Sequence, residues 1–322
     1  MNSVIFYKMT EKKWLILIVF CLIAAMTLLM AAQALQAAGK TQKRFSSPEE
    51  AVKSLVAAVR ANDMEEIMAI LGHGSRELIY SGDEAADRIG REKFLKAYDE
   101  MYSFQQESSD KMILCVGTDR WPMPIPIVKK GSTWVFDTKK GKQEILNRRI
   151  GRNELHVIDV LHAYVDAQQE YATRDCIGGG KVEFAQRLIS TEGKHDGLYW
   201  ETKEGEEESP LGLLVAQAAK EGYANPNLSP FHGYYFKILK GQGKHANGGA
   251  YNYVIKGRMI LGFALVAYPA EYGNSGIMTF IVNQDGIIYQ KNLGKNTKRL
   301  AEAMKIFDPD KTWKKVEEAT EQ

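Results

Sequence analysis

Apolar positions along the chain fall into three regimes. From Trp14 to Ala32 they form one run broken only by Thr27. Over residues 47–102, and again from Lys140 to Tyr171, they recur three or four residues apart, the period of a helix with one buried face. Elsewhere they gather in short β-branched and aromatic groups between glycines, which is how strands read. The first run follows Lys8, Lys12 and Lys13 and exits through Ala31-Ala-Gln-Ala34 and Ala37-Ala38. Basic flank, apolar middle and small-residue exit are the parts of a secretory signal. At ~1.5 Å per residue the run is nearly long enough to cross ~30 Å of hydrocarbon, so residues 1–40 read as a signal peptide or a signal anchor. Either way the lysines stay in the cytoplasm and the body is exported: periplasmic, or held at the inner membrane through Trp14 to Ala32 with the body on the periplasmic side. Cys21 follows Val19-Phe20 rather than a small residue, so no lipid attachment is expected.

The body begins with Ser47-Pro48-Glu49-Glu50, a helix start with serine cap, first-turn proline and a glutamate closing a capping box. Further helices are expected over Met64–Leu71 and from Ser81-Gly82-Asp83 on to Tyr102. The period then changes. Met112–Val116, Ile125–Val128 and Thr133–Asp137 read as strands, the last two joined by a hairpin at Lys129-Lys130-Gly131-Ser132. This element order and the Ser-Pro-Glu-Glu opening make residues 41–150 resemble the SnoaL-like, nuclear-transport-factor-like cone. One long helix follows through Leu155, Ile158, Leu161 and Val165, then a short helix over Phe184–Ile189. Five strands are expected after it: Tyr234–Leu239, Tyr251–Ile255, Met259–Tyr268, Met278–Val282 and Ile287–Gln290, with Asp285-Gly286 as the last turn. Residues 151–322 therefore read as a second domain, helix first and antiparallel meander after. The fold class is α+β.

The formal charge is +2. Four lysines against one glutamate in residues 1–40 account for it and leave the body near neutral, without the basic footprint that nucleic acid requires. The local exception carries Lys129, Lys130, Lys139, Lys140, Lys142, Arg148, Arg149 and Arg152, which could meet an anionic surface or ligand but, diluted by Asp137, Glu144 and Glu154, reads more plainly as a solvated hairpin and helix face. The three cysteines, Cys21, Cys115 and Cys176, have no metal-ligand spacing. Cys115 lies in a buried-strand pattern where an inert thiol is the common finding, although a Cys115–Cys176 bridge is permitted in an oxidising compartment.

Chemistry is sparse. Of the six histidines only His156 and His162 share a helix, at a spacing that puts them on different faces. No zinc-binding helix, serine nucleophile elbow or phosphate loop is present, so neither metal nor cofactor is expected. Two constellations remain. His195 and Asp196 beside Tyr199 and Trp200 supply an imidazole, a carboxylate and two aromatics, the material of a general base or a small-ligand clamp; an Asp-Gly turn whose aromatics pack on the sheet is the plainer reading. His232 and Tyr234, with Tyr268 and Tyr272, could form an aromatic recognition surface, or simply a sheet core.

Longer words are recognisable: Ile150-Gly-Arg-Asn-Glu-Leu155, Tyr164-Val-Asp-Ala-Gln168, His195-Asp-Gly-Leu-Tyr-Trp200, Phe231-His-Gly-Tyr-Tyr-Phe236 and Phe280-Ile-Val-Asn-Gln-Asp-Gly286. Over residues 45–317 the chain resembles the bacterial domain-of-unknown-function 2950 family. That resemblance implies an exported protein with no assigned activity. At Asp175–Gly180 the family pattern is more acidic, and Cys-Ile-Gly-Gly here removes a calcium-loop reading. The helix with Tyr164–Tyr171 and the strands closing on Asp285-Gly286 also resemble the globular heads of pilins and pseudopilins. A prepilin signal is missing, so polymerisation is not implied. The expectation is a non-enzymatic envelope module for binding or assembly, with an envelope protein as partner. The alternative is an enzyme or small-molecule binder using a cavity in the cone, lined by Tyr98, Tyr102, Trp121 and Trp134.

Overall fold

The computed structural model describes residues 41–174, 182–202, 205–223 and 229–317. The apolar run Trp14–Ala32 and Cys176 with its loop lie outside the described residues. Among the described residues no helix is long and apolar enough to cross a membrane.

Helix α1 (Pro48–Arg60) starts where expected. Ser47 Oγ accepts the Glu50 N–H at 3.2 Å, and the Glu50 carboxylate accepts the Ser46 N–H at 2.8 Å. Helices α2 (Met64–Leu71), α3 (Arg76–Ile79) and α4 (Glu84–Glu100) follow. The helix expected to reach Tyr102 stops at Glu100 because Met101 is extended, at φ −165° and ψ 138°. A strand absent from the sequence reading, β1 (Tyr102–Ser108), begins there and pairs antiparallel with β2 (Lys111–Val116). Most of β1 is exposed and polar, so it carries no alternation to detect. With β3 (Trp121–Pro122), β4 (Ile127–Lys130) and β5 (Thr133–Phe136) it builds a sheet ordered β1-β2-β4-β5, with β3 against β2. Its apolar side, with Leu114, Ile127 and Phe136, packs on Val52, Leu55 and Ile70 of the helices as one cluster. Cys115 is a buried free thiol on β2.

Helix α5 (Thr138–Thr173) runs through Gly151 without a break, so the expected boundary falls inside a helix. Its first turns pack Ile145 against the first cluster, while Val157, Leu161, Tyr164 and Tyr171 belong to a second. Helix α6 (Gly212–Lys220) comes next, then β6 (Tyr234–Leu239) and four two-residue strands, β7 (Gly241–Gln242), β8 (Tyr251–Asn252), β9 (Val254–Ile255) and β10 (Arg258–Met259). The main sheet continues with β11 (Ala264–Pro269), β12 (Thr279–Asn283) and β13 (Tyr289–Lys291); after helix α7 (Thr297–Ala303), β14 (Lys314–Lys315) completes it. Spatial order is β14-β13-β12-β11-β6, each neighbour antiparallel. It is a meander as expected, with β7 to β10 inserted, but Met259–Tyr268, expected as one strand, enters it only as β11, and the edge strand β14 was not expected.

Three details differ. Tyr251–Ile255 is split into β8 and β9, and a left-handed turn at Lys256 (φ 50°) and Gly257 (φ 81°) folds β10 back on β9. Phe184–Ile189 is not a helix: Phe184 bridges Met259 and Ile189 bridges Tyr199, so its apolar side chains are used pairwise. Helix α7 was not anticipated, and covers one face of the sheet. Adjacent side chains on β6 show the layering, since strand neighbours point to opposite faces. Lys237 Nζ donates to the Ala301 carbonyl of α7 at 2.8 Å, whereas Phe236 lies on the face covered by α5 and α6.

Candidate functional site

Helix α6 lies over the sheet without filling the space beneath it. Leu211 just before it, then Leu214, Val215 and Ala218, are three and four residues apart and form a single stripe. They face Val160 and Tyr164 of α5, Phe236 and Leu265 of the sheet, and Leu188, Ile189 and Phe231 from loops. These side chains line a partly open cavity of about 60 Å³, several times the ~10–15 Å³ that one water needs. From Leu211 to Ala218 the stripe rises about 10 Å at ~1.5 Å per residue, and it forms the roof of this cavity, the slot under α6. The only polar side-chain atom on its lining residues is Tyr164 Oη. That hydroxyl donates to the Ala264 carbonyl at 3.2 Å and accepts from Gln168 Nε2 at 3.1 Å. Complete burial pushes its pKa far up. Among the described residues the lining therefore offers apolar contact but no acid, base or free nucleophile.

One end of the slot is different. Val160, Ala218 and Phe231 cluster there with Tyr223. The Phe231 ring centre is 4.1 Å from that of His232, which is 4.2 Å from His156 on α5, one turn before Val160. Backbone at His232 is left-handed, with φ 48°, a conformation that costs a non-glycine residue about 1 kcal/mol or more. Burial, helped by the neighbouring His156, lowers the His232 pKa to about 4 against an upward pull from Glu221, so the ring is neutral at pH 7. Glu221 Oε2 stands 3.5 Å from His232 Nε2. His156 Nδ1 is buried and has no hydrogen-bond partner among the described residues.

Beneath the histidines lies Asp83, the N-cap of α4. Its carboxylate accepts the Ala86 N–H at 3.0 Å, the Gly233 N–H at 2.8 Å and the Tyr223 hydroxyl at 3.0 Å. Asp83 is 2% exposed, and burial raises its pKa against those donors. Replacing Gly233 would be strained: its φ is +76°, and a Cβ would stand 2.6 Å from Asn153 Nδ2 and 2.9 Å from Ser275 Cβ. A second clamp lies alongside. Arg149 donates to the Glu77 and Leu78 carbonyls at 2.8 and 2.7 Å and to the Asn274 side chain, while Asn274 Nδ2 donates to the Tyr80 carbonyl at 2.7 Å. The basic stretch thus disperses: Arg149 turns inward, Lys142 pairs with Glu77 at 2.7 Å, and Arg148 pairs with Glu144 and covers Trp121.

The residues singled out from sequence divide between different places. His195 is exposed and stacks on buried Trp200, ring centres 4.3 Å apart. Asp196 is committed to Thr191, accepting its N–H at 2.7 Å and its hydroxyl at 2.9 Å. Tyr199 belongs to a backbone bridge, donating its N–H to Leu188 at 2.9 Å. These four residues share a turn. Tyr234 is completely buried and donates to the Met278 carbonyl at 3.0 Å. Tyr268 pairs with Tyr235 across β11 and β6, which puts it on the sheet face opposite Tyr234; burial raises its pKa to about 12. Tyr272 is half-buried, bridging Gly276. The supposed aromatic surface, which ran from Phe231 to Phe236 with Tyr268 and Tyr272, is therefore divided between two faces; of its members Phe231 and Phe236 line the slot, and His232 adjoins it through Phe231. As for the cone, Tyr102 and Trp121 are exposed, Tyr98 stacks on Tyr102 at 4.4 Å, and Trp134 lies under Lys129. Neither Tyr102 nor Trp121 faces an interior. Sequence reading missed α6 and with it the slot, although the spacing of Leu211, Leu214, Val215 and Ala218 is a helical signal.

An α+β body with a helix-roofed apolar slot and a buried polar seam defines the class of protein. The family model for DUF2950, proteins of unknown function, matches residues 42–316, and the chain belongs to that family. No curated protein and no solved structure matches it, and the resemblance to pilin heads is not shown. Among the described residues no group of three or more His, Cys, Asp or Glu side chains is placed to hold a metal ion.

Proposed function

We propose that this is an exported envelope protein whose body is a binding module, with the slot under α6 as its ligand site. The observation that carries the reading is the cavity itself: an unfilled apolar space under a two-turn helix, in a core whose neighbouring strands β11 and β12 are fully buried. Unfilled apolar volume costs stability, about 24 cal/mol per Å³ in core-truncation series, and a bound apolar group would recover it. The lining favours holding over transformation, since its described side chains are apolar apart from Tyr164. Export rests on Lys8, Lys12 and Lys13 ahead of Trp14–Ala32.

Photolabelling of the isolated full chain with a diazirine-bearing aliphatic alcohol tests the slot. Labelled peptides should contain Leu214–Ala218 or Leu265, and Ala218→Trp, which fills the space, should remove the label. Labelling spread evenly over exposed apolar residues would refute the slot. An alkaline phosphatase fusion after residue 60 tests export separately. It should be active in a bacterial host, and activity confined to a cytoplasmic reporter at the same point would remove the envelope from the proposal.

A further inference from the structure

We infer that the inserted strands β7 to β10 form a docking face for the surface of an anionic phospholipid bilayer, a role independent of the slot under α6. None of these strands joins the main sheet. They run instead beside two outlying segments. The Lys240 carbonyl accepts the Tyr253 N–H at 3.0 Å, the Lys305 carbonyl accepts the Lys240 N–H at 3.2 Å, and the Met259 carbonyl accepts the Phe184 N–H at 2.7 Å. Residues 305–307, 240–242, 251–255, 258–261 and 182–184 therefore lie side by side as one array of extended segments.

The array has an inner and an outer side. Val254 and Met259, paired across the β9–β10 hairpin, pack on the core. The neighbouring pair, Ile255 and Arg258, alternates to the other side, where Ile255 is exposed. The Tyr253 carbonyl accepts both the Ile260 and the Leu261 N–H, at 3.0 and 3.2 Å, which is a bulge, and both side chains are exposed. The antiparallel bridge of Phe184 to Met259 carries exposed Val182 alongside Leu261, and exposed Ile306 lies at the far edge beside the Lys240 segment. Aliphatic side chains left in solvent along one array mark a surface that meets something apolar.

Charge selects the partner. Lys240, Lys256 and Lys305 belong to the same array, and none pairs with a carboxylate among the described residues; Lys240 Nζ reaches Gln186 Oε1 at 3.1 Å. The flanking carboxylates are committed elsewhere: Glu183 to Arg258, Asp308 to the His245 N–H at 2.9 Å, and Glu302 acts on Lys237. Lys256 holds the hairpin tip at φ 50°, followed by Gly257 at 81°, a turn for which Asn-Gly or Asp-Gly is the usual pair. A lysine in that left-handed position is not explained by the turn. Protein interfaces are depleted in lysine, whereas exposed aliphatic side chains among unpaired lysines match an anionic headgroup layer over acyl chains.

A phospholipid with a diazirine in its acyl chain decides it, using the full chain on vesicles of phosphatidylcholine alone or of phosphatidylcholine with phosphatidylglycerol. With phosphatidylglycerol present, label should fall on peptides spanning residues 255–261, separately from any on the apolar run 14–32. That hairpin label should drop at least about fivefold in phosphatidylcholine alone and in the double variant Lys240→Glu, Lys256→Glu, since each lysine near such a surface contributes about a fivefold preference. Ile255→Ser with Leu261→Ser should lower it similarly, and thermal melts of both double variants should match wild type because all four side chains are exposed. Label confined to residues 14–32, or no label at all, overturns the docking face, and equal hairpin label on both kinds of vesicle overturns the anionic surface. A benzophenone amino acid at position 261 covers the other occupant: crosslinking in intact cells to a polypeptide and not to lipid overturns the bilayer in favour of a protein partner.

Discussion

Two places in this molecule combine an imidazole, aromatic rings and a carboxylate, and they behave in opposite ways. Around His195 the ring lies on the surface, stacked on Trp200, and Asp196 is occupied by Thr191. Around His232 the ring is half-buried, its backbone is held left-handed, its neighbour His156 has a buried nitrogen without a partner among the described residues, and Asp83 reaches in from the other half of the chain. The ingredients are the same, but only the second set is desolvated and strained. Side-chain composition therefore marks both loops equally, whereas burial and unmet hydrogen bonding separate them.

The comparison is broken most directly at Asp83. Asp83→Ala removes the α4 cap and strands the Gly233 N–H and the Tyr223 hydroxyl, so a loss of about 3 kcal/mol is expected in denaturant unfolding. An unchanged midpoint would mean that the seam beneath the histidines contributes nothing to the fold. A smaller loss, about 2 kcal/mol, is expected from Gly197→Val in the His195 loop. The cause is close approach rather than a left-handed backbone: a Cβ would stand 2.6 Å from Ser190 N and 2.7 Å from the Ile189 carbonyl carbon. If Gly197→Val melts like wild type, the turn is looser than its contacts imply. The smallest effect belongs to His195→Ala, about 0.5 kcal/mol for the lost stack on Trp200. A stable His195→Ala protein that fails to complement a deletion strain would reverse the ranking of the two loops.

Much of this architecture is readable in the residues because local signals agree. Ser47-Pro48-Glu49-Glu50 caps α1, Gly131 turns a hairpin and Asp285-Gly286 another, and the spacing from Lys140 to Tyr171 gives α5. Failures occur where an element is not defined by its own burial. Strand β1 is polar and exposed, and Phe184–Ile189 has helical spacing but is claimed by bridges to Met259 and Tyr199. Of the site, His232 was legible as part of an aromatic word. His156 was not, because its partner lies on another element 76 positions later in the chain. Nor was Asp83, which reads as an ordinary helix cap until the fold brings Gly233 to it. Long-range desolvation leaves no local pattern.

Helix α5 serves two cores, packing Ile145 into one and Val157 to Tyr171 into the other. The halves on either side of it are consequently poor candidates for separate inheritance. A crossover within the gene that exchanged either sheet for a foreign one would have to carry the helix face that fits it, and a cut at Gly151 would leave both recombinants with half a helix.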